Sequence, residues 1–341
     1  MAGGMLKQGI RRHRWWILAS LVALVLLLFG PAVLSPFHTR VAQLILMSAG
    51  LALAWSILGV FSGYWSFGHT VFIGVGAFGS ALLETKVDLG GPAANLIVGL
   101  AFAGLVCGIL AAIIAYPLLR LRGIYFAIAM LGVSQVFGEL VSTIDWFQGS
   151  LGIVLPRLAP REIDPQVFYY YLFLALAGIT LVTGFVIKIG RIGYGLVAVR
   201  EDEDTAAMMG VPTEGYKITV FVISAVLTGM IGAAYAHSLG YITGESVFRV
   251  DFSLNMIVYA LLGGIGTLIG PIVGAIVVSL MNSMLSDYTE ASILYVGLVF
   301  LAIVMFAPRG LGGGIEQVRV AAREGTLGKR LPGWLTGAVA V

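Results

Sequence analysis

The feature that most constrains the fold is a series of long apolar runs separated by short polar segments. A helix that crosses a bilayer needs about 20 mostly apolar residues. Charged residues make up only 11% of the chain, whereas soluble domains contain about 25%. The pattern therefore predicts an all-α polytopic membrane protein with about ten transmembrane helices. The runs cover residues 15–34, 41–62, 66–84, 94–119, 123–142, 168–187, 217–237, 253–267, 269–286 and 291–307.

Two of these runs are irregular. The run 66–84 contains His69 and four glycines, a composition that favours a broken or re-entrant helix. The run 253–267 is short for a span and ends in a glycine-rich sequence. The segment 253–286 is therefore either one long bent helix or two half-helices.

The distribution of basic residues predicts the orientation, because cytoplasmic loops of membrane proteins are enriched in Lys and Arg. If all ten runs cross and the N-terminus is cytoplasmic, fifteen of the 20 basic residues lie inside. If 66–84 did not cross, Arg120 and Arg122 would move outside. The bias favours ten crossings with both termini in the cytoplasm. The predicted topology divides the chain into a basic N-terminus (1–14), a transmembrane domain (15–308) and a C-terminal tail (309–341).

The segment 188–217 differs from its surroundings because it is rich in charged residues. Charges are costly in hydrocarbon, so we expect this segment to form a cytoplasmic loop. Asp202 and Asp204 suit a helix N-terminus, Gly210 suits the position after a helix end, and Pro212 prevents continuation. The sequence therefore predicts a short water-exposed helix that offers a docking surface. The alternative is a solvated connector.

The sequence contains no pattern typical of an enzyme, a phosphate-binding loop or a metal site. Its only cysteine, Cys107, lies in an apolar run. The acidic residues in or near the spans are Glu84, Glu139 and Asp145, and none has an evident basic partner. These observations disfavour an ion-coupled carrier, although the glycine-rich breaks would permit unwound helices of the carrier type.

Five sequence blocks resemble LivM-type permeases of the branched-chain amino acid ABC importer family. The last two are LGGIGTLIGP (262–271) and FAPRGLGG (306–313), and the blocks follow one another in the order expected of that family. The first three blocks are GYWSFGHTVFIGVGAF (63–78), LRLRGIYFAI (119–128) and GRIGYGLVAVREDEDTAAMMGV (190–211).

The resemblance implies a multi-pass permease subunit of the bacterial inner membrane that forms half of a translocation pathway. It implies a heterodimer with a homologous LivH-type permease, two ATP-binding subunits on the cytoplasmic face and an extracytoplasmic substrate-binding protein. ATP and Mg would be held by those partners, so this chain would have neither a cofactor nor enzyme activity. Besides these protein partners, the subunit would contact membrane lipid. No nucleic-acid partner is expected. The loop would be the coupling segment, with contact residues Arg191, Arg200, Glu201, Glu203, Ala206, Ala207, Met208 and Gly210.

The substrate pathway is less constrained. We expect His69, Gln135 and Glu139 to be its candidate residues, although His69 would equally serve to satisfy backbone groups in a broken helix. Many family members carry an acidic residue at the position of Gln135 and a basic one at that of Gly138. The predicted substrate is a branched-chain or aliphatic amino acid, and the alternative within the family is urea or a short amide. Outside the family, the alternatives are a stand-alone ion-coupled carrier and a structural subunit without a pathway.

Overall fold

The structure is a computed structural model that describes residues 27–31, 34–87, 91–147, 151–160, 162–264 and 267–285. Within these ranges the protein is almost entirely helical, as predicted. Six segments are long and apolar enough to cross a membrane: Pro36–Ser62, Ala94–Leu118, Ile124–Thr143, Pro165–Ile189, Thr213–Leu239 and Gly244–Gly263.

The helices and strands follow one another along the chain and are labelled here in that order. The helices are α1 (Pro36–Ser62), α2 (Thr70–Lys86), α3 (Pro92–Leu118), α4 (Ile124–Thr143), α5 (Pro165–Ile189), α6 (Arg191–Glu201), α7 (Glu203–Met208), α8 (Thr213–Leu239), α9 (Gly244–Val247), α10 (Val250–Gly263) and α11 (Gly270–Leu285). Two short strands, β1 (Ile153–Val154) and β2 (Tyr241–Ile242), pair in antiparallel register.

The core of the bundle is built by α1, α2 and α8. Trp55, Phe72 and Phe221 are almost fully buried there, and the rings of Phe72 and Phe221 meet edge to face at 5.5 Å. Glycines allow the helices to approach closely, because a Cβ at Gly76 would overlap the Gly229 backbone. Such small-residue contacts are the usual basis of helix packing in bilayers.

The predicted run 66–84 is helical except at its start. The chain leaves α1 at Gly63, which has a φ of +77°, and residues 64–69 precede the first turn of α2 without forming a helix. The indole nitrogen of Trp55 donates to the Ser66 carbonyl at 2.9 Å, which satisfies one of the backbone groups that the missing helix leaves free. The helix itself is continuous over the 17 residues of α2.

The segment 253–286 forms two short helices, α10 and α11, rather than one long bent helix. A Cβ at Gly263 would overlap the Gly270 carbonyl, and one at Gly274 would overlap the Tyr259 carbonyl. These pairings run in opposite directions along the chain, so the two helices form an antiparallel hairpin. Tyr259 and Leu262 of this hairpin pack against Ala49 and Ala52 of α1.

The bundle has two polar ends. The first, here called the loop end, contains Arg122 and the loop 190–212, which hydrogen-bond to each other. The second, the distal end, contains Lys86, whose ammonium lies 3.8 Å from the Trp146 ring centroid, and the β1–β2 pair. The structure therefore separates Arg122 from Lys86, as the count of basic residues predicted. The runs 15–34 and 291–307 and both termini lie largely or wholly outside the described residues, so the ten-helix count stays a prediction.

A capped loop helix anchored to the bundle and a polar cleft at the distal end

Helix α7 begins and ends as its sequence predicts. The Asp202 carboxylate accepts a hydrogen bond from the Thr205 amide at 2.6 Å, which caps the N-terminus. At the other end Gly210 has a φ of +83°, and its amide donates to the Ala207 carbonyl at 3.0 Å. The Val211 amide donates to the Ala206 carbonyl at 3.1 Å. These two bonds and the left-handed glycine make a Schellman motif, so six residues form a well-defined helix.

Lys217 at the start of α8 ties this helix to the bundle. Its ammonium donates to Glu203 Oε1 at 2.5 Å, to the Tyr64 hydroxyl at 3.1 Å and to the Leu119 carbonyl at 3.2 Å. Tyr64 in turn donates to Glu203 Oε2 at 2.7 Å. Lys217 is 2% exposed, and a buried ammonium needs such partners. We call Tyr64, Leu119, Glu203 and Lys217 the anchor cluster.

Two further contacts at the edge of the anchor cluster fix the loop. Arg122 forms a bidentate pair with Asp204, with distances of 2.9 and 2.8 Å. Arg200 donates to the Val60 carbonyl at 3.2 Å, one turn before the end of α1. The loop thus contacts α1, the segment after α3 and the start of α8.

The same contacts determine the ionisation of the acidic residues. Burial alone would raise the pKa of Glu203, but the hydrogen bonds from Lys217 and Tyr64 outweigh it, and the pKa is lowered. The bidentate hydrogen bonds from Arg122 lower the pKa of Asp204. Both carboxylates are therefore ionised at neutral pH and hold the loop as charged partners.

The acidic residues of α7 thus face the helix bundle. Glu203 lies in the anchor cluster, and Ala206 is only 4% exposed, so these two residues offer a partner little surface. Asp204 and Thr205 are exposed, as are Ala207, Met208 and Met209, of which the methionines are 80% and 81% exposed. The other predicted coupling residues, Arg191, Arg200, Glu201 and Gly210, are also exposed.

His69 is fully buried at the N-terminus of α2. The Ser224 hydroxyl donates to the Ala54 carbonyl at 2.6 Å and therefore accepts from Nε2 of His69 at 2.8 Å. This leaves Nδ1 as the acceptor for Ser66 at 3.3 Å. Both ring nitrogens are satisfied by protein groups, an arrangement that favours the structural role of His69 over contact with a solute.

Gln135 and Glu139 are exposed and line the same cleft at the distal end. The cleft has a volume of about 310 Å³. One wall comes from α4 and the other from α9 and the residues that follow it; we call it the distal cleft. Its lining residues are Gln135, Gly138, Glu139, Ser142, Gly244, Glu245, Phe248, Arg249 and Val250.

Several of these residues were not predicted from the sequence. Lys217 of the anchor cluster and Arg249 of the distal cleft belong to no recognised motif, and Tyr64 lies in the first block of the resemblance without being identified as a functional residue. The structure also corrects the expectation that Glu84 has no basic partner. Its carboxylate lies 3.0 Å from Nε2 of the buried His237, which belongs to a span distant in sequence. Among the described residues, no group of His, Cys, Asp and Glu could hold a metal ion.

Comparisons with known proteins agree with this architecture. Residues 34–308 match the model of a family described as branched-chain amino acid transport system, permease component. The chain is 27% identical over 315 residues to the high-affinity branched-chain amino acid transport permease LivM of Escherichia coli, which covers 84% of this chain and 73% of that protein. It is 23% identical over 302 residues to LivH of the same organism, covering 81% and 92%.

More distant similarity extends to other importers. The autoinducer 2 import permease LsrC of Photorhabdus laumondii is 28% identical over 202 residues, covering 56% of this chain and 58% of that protein. No solved structure matches the chain. Since the family match covers most of the sequence, the chain belongs to the family of branched-chain amino acid transport system permease components.

Proposed function

We propose that this chain is a permease subunit of an ATP-driven importer and forms half of the pathway for a small polar organic solute. The observation that carries the proposal is the construction of α7. A capped six-residue helix is held to the bundle by its charged face and presents Ala207, Met208 and Met209 to solvent. A connector would need neither the caps nor the anchor cluster, whereas a docking element needs both.

The anchor cluster supplies a route by which a partner's movement reaches the core. Glu203 is hydrogen-bonded to Tyr64, which begins the non-helical segment before α2. That segment ends at His69, and Thr70 then donates through its amide to Ser253 of α10 at 2.8 Å. A displacement of α7 would therefore pass through Tyr64 to the junction of α2, α8 and α10.

The remaining parts of the proposal follow from membership of the family. The loop end faces the cytoplasm, where two ATP-binding subunits hold ATP and Mg, and the distal end faces an extracytoplasmic binding protein. A LivH-type permease supplies the other half of the pathway. Ten spans and cytoplasmic termini complete the topology, and the chain itself has no enzyme activity and no cofactor.

A branched-chain or aliphatic amino acid is the proposed substrate, because LivM and LivH are described as branched-chain amino acid permeases. Urea or a short amide is the second candidate within this scaffold. Other relatives are described as import permeases for autoinducer 2 and fructose, so the fold alone does not fix the solute.

One observation favours a second function, that of a stand-alone carrier. The non-helical segment 63–69 before α2 and the α10–α11 hairpin resemble the discontinuous helices around which carriers bind solutes. A single reconstitution separates the two proposals. Proteoliposomes that contain this chain, the LivH-type permease and the ATPases should accumulate L-leucine only with binding protein and ATP. Accumulation by this chain alone in a proton or sodium gradient would contradict the importer proposal.

A further inference from the structure

We propose that the distal cleft is a subsite for a zwitterionic amino acid, with Arg249 holding the carboxylate and Glu139 and Glu245 holding the ammonium group. This inference rests on the proposed function, because it assigns the solute class to the pathway of an importer. It goes further by naming the charged groups that would distinguish an amino acid from a neutral solute such as urea.

The cleft combines opposite charges on two walls. Glu139 projects from α4, where its carboxylate accepts a hydrogen bond from Thr143 at 3.2 Å and from no other of the described residues. Glu245 and Arg249 stand on the opposite wall, where Arg249 also reaches Asp251 at 2.6 Å. Glu245 lies four positions before Arg249 and lines the same wall of the cleft.

Arg249 has N–H donors that are not engaged by an acidic residue of the described chain. A guanidinium carries five N–H groups, and Asp251 is its only acidic hydrogen-bond partner among the described residues, through one nitrogen. Its side chain is 61% exposed towards the cleft and solvent. A planar guanidinium recognises a carboxylate through two parallel hydrogen bonds. The free carboxylate oxygens of Glu139 and Glu245 are complementary to an ammonium group.

An apolar floor completes the subsite. Phe248 lies between α2 and α4, because Gly74 and Gly138 have no side chains to exclude its ring. The ring of Phe248 also stacks on that of Phe78 at 6.3 Å. The absence of a side chain at Gly138 therefore has a physical reason here, since a Cβ would lie 3.1 Å from Phe248. The cleft thus has two charged walls, and the apolar residue between them is Phe248, which is 6% exposed.

The volume agrees with a small ligand. Binding pockets for small molecules commonly measure about 300–1,000 Å³, and the distal cleft, at about 310 Å³, lies at the lower limit. A neutral amide would fill part of this volume but would leave Glu139 and Glu245 without a cationic partner in the cleft other than Arg249, which already pairs with Asp251. The charges therefore favour an amino acid over urea.

The test is protection of a thiol placed in the cleft. A Ser142→Cys substitution, in a Cys107→Ser background, puts a reactive group between the two walls of the assembled importer. An impermeant maleimide should label it, and L-leucine should slow the labelling. Isoamylamine lacks the carboxylate and isocaproate lacks the ammonium group, so each should protect more weakly. A Gln135→Cys variant repeats the measurement from deeper on α4.

Variants that change a charge test which side chains bind the carboxylate and the ammonium group of leucine. We expect Arg249→Gln to raise the L-leucine concentration for half-protection by about three- to tenfold, the range for a partly exposed ion pair. Arg249→Lys should recover part of this loss. Arg157→Gln removes an exposed arginine outside the cleft lining and should change nothing. Glu139→Gln should weaken protection by leucine and leave protection by isocaproate unchanged.

The outcomes separate this inference from the proposed function. If L-leucine protects neither cysteine while the same preparation imports it with ATP, the subsite is wrong and the importer stands. Equal protection by leucine, isoamylamine and isocaproate would also overturn the subsite. If neither cysteine reacts in the assembled importer, the cleft is closed to solutes and the inference fails. Absence of ATP-driven uptake would contradict the proposed function itself.

Discussion

The attachment of α7 to the bundle predicts the effect of a Glu203→Gln substitution. The change removes the negative charge that faces the Lys217 ammonium and keeps the shape of the side chain. Lys217 would then be left with neutral acceptors only, from Tyr64, Leu119 and the new amide. The helix should therefore detach from the bundle more often than in the wild type.

The free-energy cost of Glu203→Gln depends on how deeply the Lys217–Glu203 ion pair is buried. Removing one partner of a fully buried ion pair costs about 3–5 kcal/mol. The Lys217 side chain is 3% exposed, but that of Glu203 is 16% exposed, and glutamine retains one acceptor. We therefore expect a smaller cost, about 2 kcal/mol, which corresponds to a roughly 30-fold increase in the opening equilibrium.

Hydrogen exchange measures this opening directly. The amides of Ala206 and Val211 are bonded within the loop, and their exchange should accelerate by about 30-fold in Glu203→Gln, because exchange follows local opening. Glu201→Gln is the matched control, since its side chain is 73% exposed and pairs only with Arg200 among the described residues. Adding Lys217→Met to Glu203→Gln removes the unpaired charge and should slow exchange again.

Equal exchange rates of these amides in Glu203→Gln, Glu201→Gln and the wild type would contradict this expectation. That result would mean that the anchor cluster does not hold α7.

Three further predictions concern topology, packing and pH. In a Cys107→Ser background, Met209→Cys should react with an impermeant reagent only after the cells are opened, whereas Lys86→Cys should react in intact cells; the reverse would invert the orientation. Gly263→Ala should destabilise the purified protein by about 1–3 kcal/mol, seen as a lower thermal midpoint, because a Cβ there would overlap the Gly270 carbonyl; an unchanged midpoint would contradict the hairpin contact. The pKa values of Glu203 and Asp204 are lowered in the folded loop. The two carboxylates therefore stabilise the folded loop fully when the pH is above their ordinary pKa values of 4.5 and 3.8, and this stabilisation is lost as the pH falls through the lower folded values. Loop exchange, corrected for the intrinsic rate, should therefore stay constant from about pH 8 to 5 and rise below about pH 4; an increase already at pH 6 would contradict this assignment.

The features that could be predicted from the sequence are those with local causes. The apolar runs predicted the ends of five of the six described spans to within five residues, because a bilayer imposes its thickness on each helix separately; the sixth, Gly244–Gly263, begins nine residues before the run 253–267. The limits of α7 were also predictable, since Asp202 and Gly210 cap the helix through contacts within a few residues. The choice between a bent helix and a hairpin at 253–286 was not, because it depends on contacts between Gly263 and Gly270 that the glycine-rich sequence only permits.

Features made by distant residues escaped prediction. Tyr64 and Glu203 of the anchor cluster are 139 positions apart, and neither belongs to a pattern that names its partner. The sequence therefore placed the acidic residues of α7 against an ATPase, although Glu203 is paired with Lys217. The distal cleft has the same origin, since Glu139 and Arg249 share it only because α4 packs beside α9.

We propose that α7 transmits the movement of partner ATPases to the bundle, and an Ala207→Trp substitution is the decisive test of this role. The exposed Ala207 lies beside Met208 on the free face of α7, so a tryptophan there should obstruct docking without disturbing the anchor cluster. ATP hydrolysis and L-leucine uptake would be measured in one reconstituted preparation, with membrane insertion checked separately. Ala207→Ser and the same bulky change at Ala112, exposed on α3, are the controls. We expect L-leucine uptake to be lost in Ala207→Trp and kept in both controls. The loss would arise either because the complex does not assemble or because it hydrolyses ATP without transport. Normal ATP-coupled uptake by Ala207→Trp would show that α7 is only a connector.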